Sequence, residues 1–283
     1  MDILREPFGY EFFVNAIIVA TLAGALCGLV GVYVVLRGMS YIGHGLSHAI
    51  FGGAAAGYAL SVSFYLGAGF AGFASAVLIL LIARRRSIGA DAAIGVITNA
   101  VFAVGIVVIS VIGAFVQDFE ALLFGQVLGV QRDDVVIIAG VALAAAVVVF
   151  LQYRRLLFAT FDPEVAEVSG VSTLWMDVLL AVVLTAVITV GMRVLGVVLI
   201  AAALIIPPVI ARLLTDSFHR MMWISVAVGG FCGFTGVYLS YYLDWPSGPA
   251  VVLTASALFV AAFTVSSIRR RRLPEAALDA HVG

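Results

Sequence analysis

The sequence predicts an all-α fold: one integral-membrane bundle over residues 1–283, with eight to nine transmembrane helices. Three observations predict it. The chain is 64% hydrophobic and 11% charged, with a mean hydropathy of +1.19; soluble domains carry about 25% charged residues. Its apolar residues fall into runs of about twenty, the length that crosses a hydrocarbon core about 30 Å thick. Its 15 basic residues are all arginine, and they are unevenly placed. By the rule that basic residues stay cytoplasmic, their placement puts the N-terminus outside and the C-terminus inside.

The spans read in order as follows. The first runs over 12–36 and ends at Arg37, and the second covers 44–62. The third covers 67–83 and stops at Arg84, Arg85 and Arg86; a helical turn around 87–92 leads to the fourth, 93–115. A polar loop, 117–134, follows, in which Leu122, Leu123 and Phe124 can dip into the membrane interface. The fifth is 135–151, ending at Arg154 and Arg155. The sixth is 174–191, the seventh 195–214, the eighth 221–243 and the ninth 248–268. Several are short or broken by glycine, so the count stands at eight to nine. The tail, 273–283, is short and polar and is expected to be unstructured.

Nine spans with a cytoplasmic C-terminus sort the arginines. Arg37, Arg84, Arg85, Arg86, Arg154, Arg155, Arg212, Arg220 and Arg269 to Arg272 fall inside; Arg5, Arg132 and Arg193 fall outside. Merging the second and third spans would put later loops on conflicting sides. Met1-Asp2-Ile3-Leu4-Arg5-Glu6-Pro7 carries acids beside its one arginine, so no cleaved signal peptide is expected.

Small residues supply the packing pattern. Gly24/Gly28, Gly53/Gly57 and Gly229/Gly233 recur at i, i+4, which lets helix backbones approach where lipid gives apolar surface no reason to associate. Pro207 and Pro208 sit inside the seventh span and are expected to kink or break it. Cys27 and Cys232 lie in apolar runs and read as packing residues.

The chemistry concentrates in residues 38–53, GMSYIGHGLSHAIFGG. If that stretch is helical, His44 and His48 stand one above the other on one face. His48 is eleven residues beyond Arg37, roughly 16 Å of helix, near the bilayer middle. Ionisable groups at that depth are costly and mark function. Two neutral imidazoles grip a transition metal and suit zinc best among the common ions. Ser47 stands beside them. A zinc site wants about four ligands, so the rest must come from another helix, a second copy or water.

The second informative stretch is 161–170, FDPEVAEVSG. Asp162 can cap a helix that begins at Pro163, with Glu164 and Glu167 near its positive end, and Gly170 can end it. This short acidic helix lies on the cytoplasmic face, either as a solvated connection or as a docking surface for a partner.

Some classes are excluded. Without lysine there is no GxxxxGK[ST] phosphate loop, so the chain is not itself a P-loop ATPase. His44-Gly45-Leu46-Ser47-His48 has no glutamate beside the first histidine, so the base of an HExxH protease is missing; no GxSxG elbow is present either. A membrane enzyme with catalytic zinc would need a third ligand and a base nearby. His219 and His281 lie at a rim and in the tail and read as solvated. The chain is not expected to be an enzyme. Net charge of −1 implies no nucleic-acid partner.

Over nearly its whole length the chain resembles the permease subunits of ABC transporters that import zinc, manganese or iron(II). Six motifs carry the resemblance in family order. They are the stretch from Arg37 to Ala49 with Gly43-His44-Gly45-Leu46-Ser47-His48 at the GDxLSH-type signature; Asp91 with Ala93-Ile94-Gly95-Val96; Leu123-Phe124-Gly125; Phe161-Asp162-Pro163-Glu164; the stretch from Val194 to Leu199 with Ile206-Pro207-Pro208; and residues 243–249, LDWPSGP. The resemblance implies a homodimer in a bacterial plasma membrane, two cytoplasmic ATPase subunits and an extracytoplasmic metal-binding protein. It implies that His44 and His48 contact the metal, and that Asp162, Pro163, Glu164 and Glu167 form the segment that couples to the ATPase. No resident cofactor is implied; zinc or manganese is cargo. The family usually has aspartate where this chain has His44. Exchanging a hard carboxylate for an imidazole shifts preference from manganese towards zinc. The rival reading is an ATPase-independent secondary transporter or channel, for which intramembrane acids are typical. Here Asp177 and Asp216 sit only at span edges.

Overall fold

A computed structural model describes residues 6–83, 88–112, 123, 125 and 127–271. Among these residues there are eleven α-helices and no strand: α1 (Glu11–Leu36), α2 (Ser40–Ala59), α3 (Phe64–Ala83), α4 (Ala90–Ile112), α5 (Arg132–Leu151), α6 (Tyr153–Phe161), α7 (Pro163–Val168), α8 (Thr173–Leu195), α9 (Val197–Leu214), α10 (Phe218–Leu243) and α11 (Ser247–Arg271). The arginines expected at 84–86, the interfacial dip at Leu122 and Phe124, and the tail at 273–283 lie outside the described residues.

Among the described residues, eight helices are long and apolar enough to cross a membrane; α2 is the long helix that is not among them. Five glycines, two histidines and two serines dilute its hydropathy. It is tolerated because protein surrounds it: 12 of its 20 residues are buried, against α3, α4, α8 and α9. The four-residue link 60–63 separates α2 from α3, so the two are distinct spans. The helix also starts earlier than expected. Gly38, in the left-handed region at φ +68°, turns the chain, and Ser40 already lies within α2.

Polar contacts between distant segments fix which ends share a side. Arg37, after the end of α1, meets Asp177 at the start of α8 and Thr160 at the end of α6. At the opposite ends, the Tyr65 hydroxyl at the start of α3 donates to Asp134 in the first turn of α5, 3.0 Å, and accepts from Arg193 near the end of α8, 3.0 Å. Arg193 also ion-pairs with Asp134, and Arg132 with Glu11 at the start of α1. Every one of these pairings joins ends that nine alternating crossings place together.

The core is built around α1, 78% buried over its most apolar window. Gly24 faces Gly229 of α10, Gly28 faces Ser225, and Gly233 faces Ala20; at each glycine a Cβ would overlap a carbonyl of the partner helix. Ser225 Oγ also donates to the Gly28 carbonyl at 2.6 Å. Gly53 and Gly57 do the same work between α2 and Gly67 of α3. Cys27 and Cys232 are free and buried.

The prolines do not break α9, which runs through Pro207 and Pro208 from Val197 to Leu214. Pro208 leaves the Leu204 carbonyl without an intrahelical donor. That carbonyl lies against Gly31 of α1, where a Cβ would overlap it, so neighbouring protein covers the exposed backbone. A short helix that the sequence reading lacked, α6, carries Arg154 and Arg155 beyond the end of α5. The chain bends there at Gln152.

Candidate metal-translocation site

His44 and His48 stand on α2 with ring centroids 4.8 Å apart and planes at 79°. The Tyr41 ring lies 5.7 Å from His44, and Phe102 of α4 lies 5.6 Å from His48 on the far side. Tyr41, His44 and His48 form a file along one face of α2, continued by Phe102 of α4, with both imidazoles half-buried. Neither imidazole forms a hydrogen bond among the described residues. Their nitrogens therefore remain free to bind a cation rather than being spent on a neighbouring helix.

Glycines bring α4 close enough to put Phe102 there. Gly45 faces Ile94 and Thr98, whose nearest atoms would lie 2.6 and 3.0 Å from a Cβ. Further along, Gly52 and Gly105 put the two backbones in contact. Ser47 does not join the histidines: it is fully buried and donates to the His44 carbonyl at 2.8 Å. A residue one position before His48 points about 100° away around the helix. Among the described residues no group of three His, Cys, Asp or Glu could hold a metal. One chain thus presents two imidazoles side by side, and Phe102 is the neighbour that helical spacing could not reveal.

At the cytoplasmic end, Asp162 caps α7 by accepting from the Val165 N–H at 3.0 Å. Pro163 is the first helical residue, and Gly170, at φ +81°, ends the turn. Glu164 is exposed. Glu167 is instead tied back, accepting from Thr173 Oγ1 at 2.5 Å. Val165 and Val168 of α7 are both exposed, Val168 at 92%. Their i, i+3 spacing makes a short exposed apolar ridge on α7.

The chain matches the ABC 3 transport family over residues 9–266. It is 35% identical over 261 residues to the manganese transport system membrane protein MntC of Halalkalibacterium halodurans, covering 92% of this chain and 89% of that one. To the probable iron transport system membrane protein of Haemophilus influenzae it is 34% identical over 266 residues, 94% of each. Among solved structures, PsaBC from Streptococcus pneumoniae in complex with Fab superposes with a TM-score of 0.82 at 33% identity, covering 90% of this chain and 91% of that one. The chain belongs to the ABC 3 transport family, as a multi-pass bacterial plasma-membrane permease of a metal-ion ABC importer.

Proposed function

We propose that this permease passes zinc inwards, with manganese as the next-best cargo, along the His44/His48 face of α2 at the interface of two copies. The observation that carries the reading is the pair of unbonded imidazoles on the one long helix that is not among the eight most apolar spans of the described residues. The relatives' names speak of manganese and iron. Nitrogen donors in place of a family aspartate move the preference towards zinc. A second copy would bring two more imidazoles and complete a four-coordinate set. The exposed apolar face of α4 beside the pair, with Val96, Val104 and Val107 at 59–69% exposure, suits such an interface. Two ligands per chain hold an ion weakly enough to release it, which transport requires.

A separate subunit would hydrolyse ATP, since this chain has no lysine for a phosphate loop. Asp162, Pro163 and Glu164, together with the apolar ridge of α7, would meet that subunit. An extracytoplasmic binding protein would deliver the ion to the outer mouth. Closure of the ATPases then pushes on α7 and switches access from outside to inside.

The test is zinc-65 and manganese-54 uptake by the assembled transporter. His44→Ala and His48→Ala should each lower zinc uptake at least about tenfold, the loss of one inner-sphere donor. Wild-type uptake in both variants would sink the ligand assignment. Glu164→Arg should leave ATP hydrolysis running while uptake stops; unchanged coupling counts against the docking role.

A further inference from the structure

Arg37 closes a ring of polar contacts at the cytoplasmic end of the bundle. Its Nε donates to Thr160 Oγ1 at 3.2 Å, and its Nη1 pairs with Asp177 Oδ1 at 2.5 Å. Thr160 lies two residues before Asp162, the cap of α7. At the other end of α7, Glu167 accepts from Thr173, and Thr173 lies one turn before Asp177 on α8. The ring therefore runs from the end of α6 through α7 to the start of α8, and Arg37 bridges its two ends. The guanidinium is only 10% exposed, and its Nη2 is buried without a partner. Keeping a charge buried with one donor unmatched is costly, and a mere surface tether would not need it.

From Arg37 the chain enters the metal-bearing helix directly. Gly38 turns it at φ +68°, a Cβ at Gly38 would meet nothing within 4 Å, and α2 begins two residues later. A cavity of about 540 Å³ opens at this junction, lined by Met39 and Ile42 at the foot of α2, Ile94 of α4, Pro163 of α7, and Thr173 and Leu184 of α8. Its lining is mostly apolar, so the foot of α2 can move into it without stranding polar groups.

We infer that Arg37 is the positioning residue that transmits movement of residues 162–168 to α2, and so to His44 and His48. The inference rests on the reading that this segment meets an ATPase subunit. A shift of α7 against α8 pulls on Thr160 and Asp177, both held by one guanidinium. The glycine turn converts that pull into a tilt of α2 into the cavity. The rigid planar fork suits the task because it holds two partners in fixed directions, which a lysine cannot.

The experiment measures zinc-65 uptake and ATP hydrolysis together in proteoliposomes holding the complete transporter, and reports ions moved per ATP. Arg37→Gln should keep the ATPase subunit bound and hydrolysing while the ratio falls about tenfold, within the span of allosteric couplings. Thr160→Val removes one acceptor and leaves the ion pair; its ratio should fall about threefold, the weight of one hydrogen bond. A purely structural brace would lower both activities together and leave the ratio alone. An unchanged ratio in Arg37→Gln overturns the inference; if that variant does not assemble, an unchanged ratio in Thr160→Val does so. An unmodified chain that neither retains the ATPase nor takes up zinc ends the parent reading, and this one with it.

Discussion

The α1–α10 seam and the α2–α4 contact are made the same way and used differently. In both, glycines let two backbones touch: Gly24 against Gly229 and Gly28 against Ser225 in one, Gly52 against Phe102 and Gly105 in the other. The glycines of the first seam meet backbone carbonyls of the partner helix deep in the core. The second runs beside two half-buried imidazoles and leaves their face open. Small residues thus serve once to lock the bundle and once to seat a polar helix against a neighbour. The difference is in what the uncovered side of the helix carries.

Breaking the first seam should have the largest effect. Gly24→Leu has no space, since even a Cβ would overlap the Gly229 carbonyl; overpacking of this kind costs about 3 kcal/mol or more. The purified protein should melt far below wild type or fail to accumulate. Gly140→Leu, where nothing lies within 4 Å, should melt as wild type does. A tolerated Gly24→Leu would mean that the seam does not lock the bundle.

At the second contact, the damage should be to transport rather than to folding. His44→Asp restores the family's carboxylate and should shift the zinc-to-manganese uptake ratio several-fold towards manganese, by ligand hardness. Competition uptake measures it, and an unmoved ratio separates metal choice from this position. Gly45→Ala sits between these cases. Its methyl would meet Ile94 at 2.6 Å and Thr98 at 3.0 Å, which should cost about 1–2 kcal/mol and weaken uptake through displaced histidines. The smallest effect is expected from Ser225→Ala. It removes one hydrogen bond to the Gly28 carbonyl, worth about 1 kcal/mol, and should lower the melting temperature by a few degrees with uptake intact.

The legible parts of this protein were those written in local spacing. Residues 12–36 to 248–268 gave nine apolar runs, and nine helices stand there. Gly24/Gly28 and Gly229/Gly233 were visible as packing pairs, though nothing said that they would meet each other. Asp162-Pro163 announced a capped helix because capping is chemistry within four residues. Of the expected kink or break, the break is absent, because the rule that a proline breaks a helix considers only its own backbone. The Leu204 carbonyl is covered by Gly31, 173 positions away in sequence. Short α6 escaped because one run of hydrophobicity cannot show where an axis bends.

The sequence by itself determined that this chain lives in a membrane, that it crosses eight or nine times, and that two imidazoles share a helix face. Hydropathy and helical periodicity are properties of neighbours along the chain, so one dimension suffices for them. Only the tertiary structure decided that Phe102 closes one end of the histidine file, that Ser47 turns away, and that Arg37 reaches Asp177 140 residues on. Those facts depend on which helices touch, and in lipid that choice is made by backbone fit between small residues, which no stretch of sequence states alone.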